Sequence, residues 1–95
     1  MNDNEGPTVT VIVGRARRRK GGRPDSVHVM LIAADEDAAV RAALGALQGQ
    51  GFVEAELDRI GEMEGMPDEE PHASAFQGAL EGEVSIVVLD GGAAR

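Results

Sequence analysis

The sequence contains no cysteine, no tryptophan and no tyrosine, and only two phenylalanines. Disulfides, thiolate metal sites and cysteine nucleophiles are therefore excluded, and a reducing cytoplasm is the expected compartment. Large aromatic side chains dominate most binding surfaces, so a surface built on such anchors is not expected. Residues 1–7 have neither the basic nor the apolar segment of a signal peptide. Apolar runs fall short of the roughly 18 residues of a membrane span, so we predict a soluble protein without membrane contact.

Motifs of enzymes and of nucleotide-binding proteins are also lacking. The three serines, Ser26, Ser74 and Ser85, do not lie in a G-x-S-x-G elbow, and no spacing indicates a catalytic triad. Neither a G-x-G-x-x-G motif nor a Walker loop occurs. We therefore predict no catalytic residues and no cofactor, and a non-enzymatic protein is favoured over an enzyme.

Charge is distributed unevenly along the chain. The net charge is −8, yet six of the nine basic residues lie in residues 15–23, which contain no acid, while the remainder carries 17 carboxylates against three arginines. The basic residues are Arg15, Arg17, Arg18, Arg19, Lys20 and Arg23. A solvated hairpin tip is the simplest interpretation. Binding of an acidic protein surface, including that of a second copy, comes next. Nucleic acid is disfavoured because the acidic body repels it and no aromatics are available to stack on bases.

Apolar periodicity predicts four strands and two helices in the order β-β-α-β-α-β. The predicted strands are residues 8–13, 27–33, 52–60 and 84–89, the first two joined as a hairpin through the basic run. The helices begin at Asp35-Glu36-Asp37 and at Asp68-Glu69-Glu70, where acidic side chains suit the positive end of the helix dipole. Alternating carboxylates place the third strand near a sheet edge, whereas the apolar fourth strand is predicted at the sheet centre.

These elements predict an α+β fold. Residues 8–90 are expected to form a single α+β domain between a disordered N-terminus (1–7) and a flexible tail (91–95). The expected architecture is a two-layer sandwich of one four-stranded sheet with both helices on one face. In outline it resembles the ferredoxin-like and ACT-like sandwiches, although no motif identifies a family.

One candidate site is formed by the two acidic clusters. Both clusters follow a strand and open a helix, so parallel strands would bring them to the same end of the sheet. His72 follows Glu69 at a spacing that places both on one helical face. Carboxylates and imidazole could hold Mn²⁺ or Zn²⁺, with Asp35, Asp37, Glu69 and His72 as ligands. The competing interpretation is helix capping without any ligand.

A second candidate site is the sheet face away from the helices. If Val9, Val11, Val13, Val27, Val29 and Leu31 face the helices, other apolar side chains point outward, and self-association would cover them. The expected dimer interface is Ile12, His28, Met30 and Ile32. The leading hypothesis is therefore a small soluble interaction or ligand-binding domain that acts as a homodimer. The alternative is a small metal-dependent protein or enzyme that uses the acidic helix N-termini and His72.

Overall fold

The computed structural model describes residues 8–63 and 65–89 of the chain. The described residues form four strands and two helices in the predicted order: β1 (Thr10–Arg17), β2 (Asp25–Leu31), α1 (Glu36–Gly49), β3 (Glu54–Glu62), α2 (His72–Leu80) and β4 (Ser85–Leu89). The predicted disordered N-terminus (1–7) and flexible tail (91–95) lie outside the described residues. In the part of the chain that the structure describes, neither helix is long and apolar enough to cross a membrane.

The strands form one sheet in the order β3-β1-β2-β4, and all neighbouring strands are antiparallel. This confirms a small α+β fold, with β1 and β2 forming the predicted hairpin, but the order differs from the ferredoxin-like order. As predicted, β3 lies at a sheet edge. The central position predicted for residues 84–89 is wrong, because β4 forms the other edge. β4 is apolar because α2 covers one of its faces, although a neighbouring strand pairs with it on one side only.

The two helices lie on opposite faces of the sheet. Ala39, Ala43 and Leu47 of α1 pack with Val29 and its same-face neighbours, whereas Ala75 and Ala79 of α2 pack with Met30. Adjacent residues of a strand point to opposite faces, so Val29 and Met30 assign the helices to different layers. The predicted two-layer sandwich with both helices on one face is therefore wrong. That prediction required the sheet to grow in one direction, but β3 is added beside β1 and β4 beside β2.

The core is consequently divided into two clusters. The cluster under α1 consists of Ile12, Ala16, Val27, Val29, Leu31, Ala39, Ala43, Leu47 and Phe52. The cluster under α2 consists of Val9, Met30, Ala75, Ala79 and Val87. The hairpin register explains the division. Val11 lies opposite Met30 and Ile12 opposite Val29, so odd-numbered residues of β1 share a face with even-numbered residues of β2. In the prediction from sequence, by contrast, the odd-numbered residues of both strands share one face.

The helix starts differ in how they are capped. Asp35 is the N-cap of α1, and its Oδ1 accepts a hydrogen bond from the Ala38 N–H at 2.8 Å, as the sequence predicted. Helix α2 begins at His72, after Pro71, so the cluster Asp68-Glu69-Glu70 precedes the helix and does not form its first turn. One member still contributes, because Glu70 Oε1 accepts a hydrogen bond from the Ser74 N–H at 3.0 Å.

Candidate functional site

Two histidines meet between the sheet and the start of α2. His28 lies on β2 and points to the face that α2 covers, while His72 is the first residue of α2. His28 Nδ1 and His72 Nε2 are 2.9 Å apart, with ring centroids 5.0 Å apart and ring planes tilted by 59°. In neutral imidazoles one nitrogen donates its hydrogen and the other accepts. This hydrogen bond joins the N-terminus of α2 to a central strand of the sheet.

The surroundings of His28 favour its neutral form. His28 is half-buried, and its cross-strand neighbours are Val13 on β1 and Val87 on β4. Burial, followed by repulsion from His72, lowers the pKa of His28 from its ordinary value. Desolvation disfavours the charged form of an imidazole, and a second positive charge nearby disfavours it further. At neutral pH His28 is therefore an uncharged partner for His72.

A groove runs along the outer edge of β4, which has no neighbouring strand among the described residues, next to this histidine pair. Its volume is about 390 Å³. Helix α2 and the residue before it supply one wall, and β4 supplies the other. The lining residues are Pro71, Ser74, Ala75, Ser85, Ile86, Val87 and Val88. An edge strand leaves backbone N–H and C=O groups without a neighbouring strand, so this groove offers hydrogen bonds and apolar contacts together.

The two edges of the sheet differ in charge. The β3 edge carries five charged residues, namely Glu54, Glu56, Asp58, Arg59 and Glu62. The β4 edge, Ser85–Leu89, carries none, and its Val88 side chain is 42% exposed. Charged side chains on an edge are a common protection against pairing with another chain. Only β3 has this protection, so β4 is the edge suited to strand addition.

The residues predicted to bind a metal are not brought together. Asp35 caps α1, Asp37 pairs with Arg41 one turn later at 2.8 Å, and His72 contacts His28. Because β2 and β3 are both antiparallel to β1, the two acidic clusters do follow strands that finish at the same end of the sheet, but the helices they precede lie on opposite faces. Within residues 8–63 and 65–89, no group of three or more His, Asp or Glu side chains is arranged to hold a metal ion. Glu69, the fourth predicted ligand, is an exposed residue before α2.

The predicted dimer interface is also dispersed. Ile12 and Met30 are each 1% exposed, the first buried under α1 and the second under α2. His28 faces α2, and only Ile32 is exposed. The predicted outward apolar row does not form, because the register places Ile12 and Met30 on opposite faces and a helix covers each face. Homodimerisation is not tested by this result, but it requires a different surface.

Two arginines of the basic run contact acids on β3. Arg15 Nη2 lies 2.9 Å from Glu56 Oε1, and Arg15 Nε lies 3.7 Å from Asp58. Arg17 Nη1 lies 3.8 Å from Glu54. Basic residues at every second position of β1 thus face acids at every second position of β3. That complementary alternation is visible in the sequence and could have indicated the pairing of these two strands.

A third arginine anchors the hairpin to α1. Arg18 Nη1 donates to the Gln50 carbonyl at 2.9 Å, and its Cζ lies 4.2 Å from the centre of the Phe52 ring. This contact was not predicted, because the residues are more than thirty positions apart in sequence. The exposed remainder of the predicted anionic-partner set is Arg19, Lys20 and Arg23, and binding of an acidic partner by these residues stays a prediction.

The histidine pair was likewise missed. The alternation of Val27, His28 and Val29 placed His28 opposite the core valines, which the structure confirms. It did not indicate a partner, because α2 was assigned to the same face as α1. No protein-family model, no curated protein and no solved structure matches the chain significantly.

Proposed function

We propose that this protein is a small, non-enzymatic interaction domain that forms a homodimer by pairing β4 with β4 of a second copy. The observation that carries the proposal is the uncharged edge of β4, which contrasts with the charged edge of β3. Strand addition supplies main-chain hydrogen bonds, and the adjoining groove offers room for side chains of the added strand. The groove wall formed by Pro71, Ser74 and Ala75 limits how that strand approaches.

A second copy is favoured over an unstructured peptide as the occupant. A free peptide must lose conformational entropy when it adds to a sheet, which reduces its affinity. In a second copy β4 is already an ordered strand held by β2, so this loss is avoided. In antiparallel pairing about a two-fold axis, the same residues of β4 form the interface in both copies, which is the arrangement of a closed dimer.

The size of the contact sets the expected affinity. Only the five residues of Ser85–Leu89 form β4, whereas a stable interface buries roughly 800 Å² per partner. The two grooves must therefore contribute side-chain contacts, and we expect a dissociation constant on the order of micromolar. Pairing of two four-stranded sheets in this way would generate one continuous sheet across the dimer.

Sedimentation equilibrium on matched variants tests the proposal. Val88→Lys places a charge on the β4 edge, while Val53→Lys introduces the same change at a 62% exposed valine just before β3. The wild type and Val53→Lys should associate alike, and Val88→Lys should be shifted to monomer, because an edge lysine opposes pairing. A wild type that is monomeric at 100 μM (roughly tenfold or more above a micromolar Kd), or equal dimerisation of all three proteins, would refute β4 pairing.

The metal-dependent alternative receives less support. Its four ligands are spread over two helix starts on opposite faces, and two of them already have other partners in Ala38 and Arg41. The lack of enzyme motifs in the sequence also supports a non-enzymatic role. The cysteine-free composition is compatible with a reducing compartment, and the proposal places the protein in the cytoplasm.

A further inference from the structure

We propose that the His28–His72 pair makes dimerisation through β4 dependent on pH, because a neutral pair holds α2 against the sheet and a doubly protonated pair releases it. This inference rests on the proposed function, since it concerns regulation of the same edge. It follows from three features: the hydrogen bond between the rings, the weak packing of α2, and the position of α2 beside the groove.

The hydrogen bond exists only while at least one ring is neutral. A protonated imidazole has two donors and no acceptor, so two protonated rings cannot share the 2.9 Å contact between His28 Nδ1 and His72 Nε2. Two positive charges at that distance also repel each other. His72 lies in the first turn of α2, at the positive end of the helix dipole.

The other charged groups on this face do not reverse that preference. On the sheet side, Arg15 of β1 and Glu56 and Arg59 of β3 point to the same face as His28, and β4 contributes no charge. Glu56 pairs with Arg15 at 2.9 Å and offsets its charge, so Arg59 is the cation of this face that opposes protonation of His28. Before α2, the acidic residues Glu69 and Glu70 precede His72 in the chain, and both are exposed to solvent. Exposed charges are strongly screened, so the direct contact between the rings dominates.

Helix α2 is held to the sheet by few large side chains. It has nine residues, of which Ala75 and Ala79 are buried, while Phe76 packs against the same cluster but is only partly buried. Alanine buries little apolar area, so each contributes less than a buried leucine or valine would. Loss of one hydrogen bond at the N-terminus is therefore a substantial part of the interaction between α2 and the sheet. Ser74 and Ala75 line the groove, so movement of this end removes a groove wall.

The direction of the pH effect follows from linkage. Burial and repulsion from His72 lower the pKa of His28 below its ordinary value of 6.5. The released form therefore binds more protons than the docked form, and docking weakens as the pH falls below that ordinary value. Association through β4 should weaken over the same range.

Amide hydrogen exchange and sedimentation equilibrium at pH 7.5 and 5.5, both in EDTA, test the inference. A net hydrogen bond is worth about 0.5–1.5 kcal/mol, or about two- to thirteenfold in an equilibrium constant. In the wild type, protection of α2 amides, corrected for intrinsic exchange, should fall by about this factor at pH 5.5, and the dimer should weaken to a similar extent. Protection of α1 should not change. His72→Gln and His28→Gln each leave only one titratable imidazole in the contact, so the two side chains can never both be positive and both variants should lose the pH effect.

Each result has a separate meaning. If α2 protection is the same at both pH values in the wild type, or if both glutamine variants keep the pH effect, the inference is overturned. If wild-type α2 opens at pH 5.5 while the dimer is unaffected, the coupling to β4 is wrong although the histidine contact acts as described. A wild type that is monomeric at both pH values overturns the proposed function, and with it any control of dimerisation by the pair.

Discussion

Replacing Arg18 with alanine tests whether the basic hairpin is a structural element or a solvated projection. The Arg18 guanidinium donates to the Gln50 carbonyl at 2.9 Å and stacks on Phe52 with its Cζ 4.2 Å from the ring centre. Gln50 is the C-cap of α1, whose last turn contains no basic residue. Arg18 therefore brings a positive charge to the negative end of the helix dipole from a distant part of the chain.

The expected loss can be assembled from these contacts. A solvent-exposed cation over an aromatic ring contributes about 0.5–1 kcal/mol, and a cation at a helix C-terminus about 0.3–1 kcal/mol. The two effects share one guanidinium, so we expect Arg18→Ala to lower the free energy of unfolding by about 1–2 kcal/mol. Arg19→Ala removes the same charge from the neighbouring exposed position and should change stability by less than about 0.5 kcal/mol.

Urea denaturation followed by far-UV circular dichroism measures both variants against the wild type. In a domain of this size, 1 kcal/mol corresponds to about 4–8 °C in melting temperature, so thermal melts provide a second measurement. Equal stabilities of Arg18→Ala and Arg19→Ala would show that the contact to Phe52 and Gln50 has no net effect. The basic run would then be the solvated hairpin tip that its composition suggests.

Two further pairs of variants probe the sheet and α1 by the same denaturation measurements. Gly14→Ala should lose about 1–3 kcal/mol, because the added Cβ would overlap the Glu56 carbonyl and lie 2.9 Å from a Cα of β3; Gly45→Ala, in open space on α1, should gain about 0.5–1 kcal/mol. A tolerated Gly14→Ala would contradict the close β1–β3 approach. Asp35→Ala should lose about 0.5–2 kcal/mol with its cap, and Asp37→Ala less than about 0.5 kcal/mol; equal losses would contradict capping by Asp35.

The features that sequence reasoning predicted correctly are local ones. The Asp35 cap is made by residues three positions apart, and the element order follows from apolar periodicity within each segment. The edge position of β3 could be read from the carboxylates at alternating positions, because edge strands commonly carry charge. The apolar content of β4 did not reveal its position, since burial by α2 and burial by a neighbouring strand favour the same residue types.

The incorrect predictions concern relations between distant segments. The faces of β1 and β2 depend on the register that pairs Val11 with Met30, and the length of the hairpin turn sets that register. That register places Ile12 and Met30 on opposite faces, each covered by a helix, so these two members of the predicted dimer interface are buried. The histidine contact, between residues 44 positions apart, could not be derived until α2 was placed on the second face.

The division of the core by the sheet has a practical consequence for spectroscopy. The sequence contains two phenylalanines and no other aromatic side chain except its two histidines. Phe52 belongs to the cluster under α1, and Phe76 packs against the cluster under α2. Uniform incorporation of fluorophenylalanine would therefore give one ¹⁹F resonance for each layer, without any mutation. Unfolding of the two layers could then be followed separately in a single sample.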